Sequence, residues 1–249
     1  MKIGVSTLAI NNNELYENLK ILEELNIDYI EILLEYPNSN IDTDLLNSFN
    51  FTYTVHSPII DLNIASLNKS IQMTSINEIV KSIGLANSLD SDIVVVHPGS
   101  VPFLARNHLD KVLAKCRESL VTLDNYAKDN GVSLAVENMP NIDSFLYKDI
   151  NELNKLLNNL DMSMTLDIGH GAVTGFSENQ MYFDSVKHIH LSDNNHDHDM
   201  HYGLGEGSID FKTIIDIFEK NKYDGIYVIE VNNMESVIKS IEYLKKLNI

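Results

Sequence analysis

An α/β fold, a closed (β/α)8 barrel of parallel strands, is predicted by three observations: eight strand-length apolar runs, helix-period segments between them, and a length of 249 residues. The runs cover residues 2–8, 29–35, 51–56, 93–97, 133–137, 164–167, 186–191 and 226–231. Several are continuously apolar, as in Ile93-Val94-Val95-Val96, which suits strands buried on both faces of a parallel sheet covered by helices. An open doubly wound sheet would carry a glycine-rich turn after its first strand, and Ser6-Thr7-Leu8-Ala9 is no such turn. With no linker or low-complexity block, residues 1–249 read as a single barrel domain.

In chain order, the first strand leads to a helix with Leu15, Leu19 and Leu22 on one stripe. A short, weakly patterned helix is expected near 43–49, after the second strand. The third strand is followed by a helix burying Ile76, Ile79, Val80 and Ile83, and the fourth by one burying Val112, Cys116, Leu120, Leu123 and Ala127, with His108 at its exposed start. Another short helix is expected at 177–184. The seventh strand runs into a long loop, 194–209, rich in Asn, Asp, His and Gly, and the chain ends in a helix with Val237, Ile241 and Leu244 inward.

Composition excludes several classes. The single Cys116 cannot form an intrachain disulfide, and no stretch approaches the roughly 20 apolar residues that span a bilayer. The start Met1-Lys2-Ile3 leads directly into a strand, without a leader pattern, so a cytoplasmic protein is expected. A net charge of −18 with only Arg106 and Arg117 as arginines disfavours nucleic acid, whose phosphates demand cations. Bound metal ions would invert that sign locally.

The chemistry sits where strands end, since barrels of this kind build their sites from the C-terminal ends of the strands and the loops beyond. Six consecutive strands end in a metal-ligand type: His56, His97, Glu137, Asp167, His190 and Glu230. With 36 acidic residues and nine histidines in the chain, chance would fill six preassigned positions this way on the order of once in 10,000 trials. Each group also follows an apolar run, where a charge without a partner is costly. Taken singly, each histidine reads as a hydrogen-bonded core residue; the series points to metal. His170 lies three residues past Asp167, where the pair could instead cap a helix, and Asp199 and His201 lie in the long loop beside His196, Asp197 and His198. This donor set suits zinc or manganese and exceeds the four ligands of one tetrahedral ion, so more than one metal is implied. His188 shares the strand face of His190 and reads as packing or support behind it, while Glu31 and Glu35 could touch substrate but read first as an ordinary strand end.

The ordered series VHSP, HPG, VEN, LDIGH, HIHLSDN, DMHYGLGEG and VIEV resembles, over essentially the whole chain, the xylose-isomerase-like TIM barrel superfamily of sugar isomerases, epimerases and endonuclease IV. The endonuclease IV resemblance implies one metal on His56, His97 and Glu137, a second on Glu137, Asp167, His190 and Glu230, and a third on His170, Asp199 and His201. The epimerase resemblance implies one divalent ion on Glu137, Asp167, His190 and Glu230, with Glu137 and Glu230 moving protons. The arginine and bulky loop residues with which endonuclease IV grips DNA have no match: the loop after the second strand reads Tyr36-Pro37-Asn38-Ser39-Asn40, and tryptophan is absent.

Two activities follow as expectations. The first is isomerisation or epimerisation of a small sugar or sugar phosphate with one to three divalent ions per chain, Glu137 and Glu230 acting as base and acid, and the segment Gly205-Glu206-Gly207 closing over the substrate. The alternative is hydrolysis of a phosphate ester, as by an apurinic-site (AP) endonuclease with a trinuclear zinc site. Three divalent ions against Glu137, Asp167, Asp199 and Glu230 leave a positive surplus that favours phosphorylated substrates in either case, and the acidic surface favours a small one. A sugar-binding or regulatory barrel is the non-enzymatic expectation.

Overall fold

Parallel ladders join each strand to the next in a computed structural model of the chain, which describes residues 1–10, 14–36, 39 and 41–247. The strands are β1 (Lys2–Ser6), β2 (Tyr29–Leu33), β3 (Thr52–His56), β4 (Ile93–Val96), β5 (Ser133–Glu137), β6 (Ser163–Asp167), β7 (Val186–Leu191) and β8 (Ile226–Ile229). Lys2 pairs with Ile226 and Val5 with Ile229, so β8 closes onto β1 and leaves no free edge. The helices are α1 (Leu15–Glu24), α2 (Thr43–Leu46), α3 (Lys69–Ser88), α4 (Leu109–Asp129), α5 (Ile150–Leu160), α6 (Ile168–Val173), α7 (Phe211–Lys220) and α8 (Met234–Lys246). Among the described residues no helix is long and apolar enough to cross a membrane.

The expected stripes face the strands. Leu15, Leu19 and Leu22 of α1, the five residues from Val112 to Ala127 on α4, and Val237, Ile241 and Leu244 of α8 are all buried, Cys116 among them; on α3, Ile76, Ile79 and Ile83 are buried and Val80 partly so. Asparagine and aspartate begin several helices: Asp42, Asn68, Asp149, Asp210 and Asn233 each accept a backbone N–H of the first turn. His108 stands, exposed, just before α4.

The short elements depart from expectation. The helix expected at 177–184 is a single 3-10 turn, Glu178–Gln180, and α6 instead starts directly from β6. The reason is Asp167, whose carboxylate accepts the His170 N–H at 2.6 Å and so turns the chain into a helix at once. β1 stops at Ser6 because its hydroxyl accepts the Leu8 N–H at 3.2 Å and opens a 3-10 turn. α2 covers only the first part of 43–49. Of the loop after β2, Pro37, Asn38 and Asn40 lie outside the described residues.

Candidate metal centre

The ladder registers bring the strand ends to one mouth. His56, Glu137 and Asp167 are the last residues of β3, β5 and β6, His190 is the penultimate residue of β7, and His97 and Glu230 directly follow β4 and β8. All are buried except His97, which is partly exposed. Glu137 joins two groups: Oε2 lies 3.1 Å from both His56 Nε2 and His97 Nε2, and Oε1 lies 3.4 Å from His190 Nδ1. His190 Nδ1 is also 3.1 Å from Glu230 Oε2 and 3.9 Å from Asp167 Oδ2.

The loop residues form a third group. Asp199 Oδ2 lies 3.1 Å from His170 Nε2 and 3.2 Å from His201 Nε2. All nine expected residues thus come together as three groups: His56, His97 and Glu137; Glu137, Asp167, His190 and Glu230; and His170, Asp199 and His201. Within each group the ligand atoms lie within 4.8 Å of one another. His196, Asp197 and His198 are exposed and belong to none. Asp167 serves twice, as helix cap through Oδ1 and in the cage through Oδ2.

The electrostatics follow from burial and mutual fields. Burial pushes Glu137 up, but the charges of His190 and His97 outweigh it and hold Glu137 well below the carboxylate range. Glu230 is lowered too, its burial outweighed first by His190. Burial, opposed by His170 and reinforced by Glu137, raises Asp167 to about 6. Burial pulls the imidazoles down, yet the carboxylates around His170 raise it to about 10 and those around His201 to about 9, and His190 rises well above its ordinary value. Only at His97 does burial prevail and lower the ring. The carboxylates therefore favour the cationic form of His56, His170, His190 and His201, and metal cations can take the place of those protons.

The donor set fits divalent ions. Asp167 Oδ2, Asp199 Oδ1 and His190 Nδ1 are buried without a hydrogen-bond partner, a condition that costs about 1–3 kcal/mol per atom until something satisfies it. Carboxylate oxygens and imidazole nitrogens are the donors that zinc and manganese accept.

Spacing alone does not reveal what supports the cage. Asn138 brackets Asp167, donating to its carbonyl at 3.0 Å and accepting its N–H at 2.8 Å, while the Asn138 carbonyl lies 2.8 Å from His170 Nδ1. Asp193 accepts the backbone N–H groups of Asn194, Gly205, Gly207 and Ile209 at 2.9, 2.9, 2.9 and 3.2 Å. Its own backbone pairs with Tyr202 in both directions at 3.0 Å. The segment expected to close over a substrate is therefore held elsewhere: Gly205 lies against the Tyr243 ring, and Glu206 pairs with Lys239 on α8. Glu35 ties down the loop after β3 by accepting Ile59 and Ile60 N–H at 2.8 and 2.7 Å. Glu31, expected to be an ordinary strand residue, is fully buried beneath His190, and His188 stands behind it as expected.

A cavity of about 200 Å3 opens over the cage, its polar lining drawn from the three groups and the rest from Leu8, Leu33, Ile59, Met139, Pro140, Ile142 and Phe145. A neighbouring cavity of about 440 Å3 shares Leu8 and Leu33 with it. Among the described residues no lysine or arginine lines either.

A ring of eight parallel strands that gathers imidazoles and carboxylates at its C-terminal mouth defines a (β/α)8 protein with its chemistry at that face. The chain belongs to the xylose isomerase-like TIM barrel family, whose model matches residues 19–247. It is 33% identical over 260 residues to an uncharacterized protein of Methanocaldococcus jannaschii, covering 99% of this chain and 89% of that one. Among solved structures it is similar to a D-tagatose 3-epimerase-like protein, with 30% identity, a TM-score of 0.90, and coverage of 100% of this chain and 97% of that one. Similarity to a Malacoplasma penetrans protein named probable endonuclease 4 is weaker, 27% over 184 residues, covering 65% of this chain and 61% of that one.

Proposed function

We propose that the chain is a divalent-metal-dependent epimerase or isomerase of a small, uncharged sugar. The observation that carries this reading is the cavity: about 200 Å3, below the roughly 300–1,000 Å3 usual for drug-sized ligands, with carboxylates at its base and no lysine or arginine among its described lining residues. No lysine or arginine among the described lining residues meets a phosphate there, so the neutral sugar is preferred over the sugar phosphate. Similarity to the D-tagatose 3-epimerase-like protein supports the same class of reaction.

Glu137, Asp167, His190 and Glu230 would hold the ion, which when bound supplies Lewis-acid polarisation of a carbonyl and its neighbouring hydroxyl. Glu137 and Glu230, from β5 and the end of β8, take a proton from the carbon beside the carbonyl and return one. Acid and base groups in such roles each contribute about 10²–10⁴-fold. The apolar residues around the mouth keep bulk water from the reacting carbon.

The test is deuterium exchange: D-tagatose and D-fructose incubated with the protein and Mn2+ in D2O, followed by proton NMR. Metal-dependent exchange at the carbon next to the carbonyl, lost in Glu137→Gln and Glu230→Gln, is expected. A second reading, phosphate ester hydrolysis, is favoured by the convergence of the third group, His170, Asp199 and His201. Chelator-sensitive cleavage of an abasic-site duplex without sugar exchange would put it first.

A further inference from the structure

His190 is turned the opposite way from its neighbours. His56, His170 and His201 face the cage with Nε2, and their Nδ1 atoms lie 2.7, 2.8 and 2.9 Å from the backbone carbonyls of Ser57, Asn138 and Glu230. His190 faces Glu137 and Glu230 with Nδ1, and its Nε2 lies 3.0 Å from a carboxylate oxygen, Glu31 Oε1. Glu31 sits in the middle of β2 with no exposure to solvent, flanked by buried Ile30 and Ile32. Its other oxygen, Oε2, lies 2.7 Å from His188 Nε2 and accepts the Thr54 hydroxyl at 3.2 Å. Neither Glu31 nor His188 lines the cavity, so neither is placed to touch a substrate.

A fully buried carboxylate is costly wherever an apolar residue would fill the same space, and here its partners are two imidazoles. A neutral imidazole carries one N–H; a carboxylate facing Nε2 draws that hydrogen to Nε2 and leaves the Nδ1 lone pair free. Ligand histidines gain basicity and a set orientation from such a partner.

We propose that Glu31 is a positioning residue for the metal centre, holding the His190 ring so that a bare Nδ1 faces Glu137, Asp167 and Glu230, while His188 and Thr54 hold Glu31 from the other side. This rests on the reading of the cage as a divalent-metal site. It sets His190 apart from His56, His170 and His201, whose Nδ1 atoms have backbone carbonyls as their nearest partners, with Glu137 Oε1 a further 3.5 Å neighbour of His170 Nδ1.

The test is calorimetric titration of chelator-stripped protein with Mn2+, in the wild type, Glu31→Gln and Glu31→Leu, with circular dichroism to establish folding. Loss of a partner of this kind costs about 10–100-fold in metal affinity. Glu31→Leu is expected near the upper end, and Glu31→Gln, which keeps an amide oxygen facing His190 Nε2, near the lower. The isosteric Gln variant decides the matter if the Leu variant does not fold. A folded variant that binds Mn2+ within twofold of the wild type overturns the assignment while leaving the metal site standing. Wild-type protein that takes up no Mn2+ overturns both.

Discussion

Glu137 links the pair His56 and His97 to the group Asp167, His190 and Glu230, so Glu137→Gln is a sharp test of whether the cage is held by metal. The substitution keeps the shape and removes the charge that faces His56 and His97 at 3.1 Å and His190 at 3.4 Å. An ion present at 100 times its Kd stabilises the fold by about 2.7 kcal/mol. Unfolding 249 residues carries an entropy of about 0.5 kcal/mol per kelvin, so Tm rises by about 5 °C. If the charge loss weakens binding about 100-fold, the same concentration stabilises the variant by about 0.4 kcal/mol, or less than about 1 °C. The assay is thermal unfolding of chelator-stripped protein with and without Mn2+ or Zn2+. An equal rise in variant and wild type, or none in the wild type with either ion, refutes the reasoning.

Two further perturbations act on the same architecture. A Cβ at Gly169 would lie 2.5 Å from Ser192 Oγ and 3.3 Å from Asp167 Oδ1, so Gly169→Ala is expected to cost about 1–3 kcal/mol in urea unfolding, with Ser192→Ala in the same chain recovering most of it. In stripped protein the raised His170 and His201, at about 10 and 9 against an ordinary 6.5, favour the fold while protonated. That contribution is complete below pH 6.5 and lost as pH climbs through 9 and 10, so Tm of stripped protein falls over this range and that of metal-loaded protein falls less.

The strand ends were legible because a charge after an apolar run is informative: burial makes such residues expensive, and six in succession at one end of a barrel have little other use. The stripe of α4 was legible for a related reason, since 21 residues give the helical period several turns in which to repeat. α6 was not, because six residues containing two glycines display no period and its start depends on a carboxylate already assigned to the cage. The segment after it misleads for a local reason: the Gln180 side chain reaches back to the Ser177 N–H at 3.0 Å, as at a helix start, yet only one turn follows. The place of Glu31 behind His190 was not legible, because His188, 157 positions away in the chain, meets it only once the ring has closed.

The four N–H groups gathered by Asp193 bear on how fast anything can bind. Ordering a residue costs about 1–2 kcal/mol in backbone entropy, and the strap bearing Asp199 and His201 meets much of that cost when the barrel folds. A solute that binds there is expected to meet a strap already folded, with no slow rearrangement of these residues before capture.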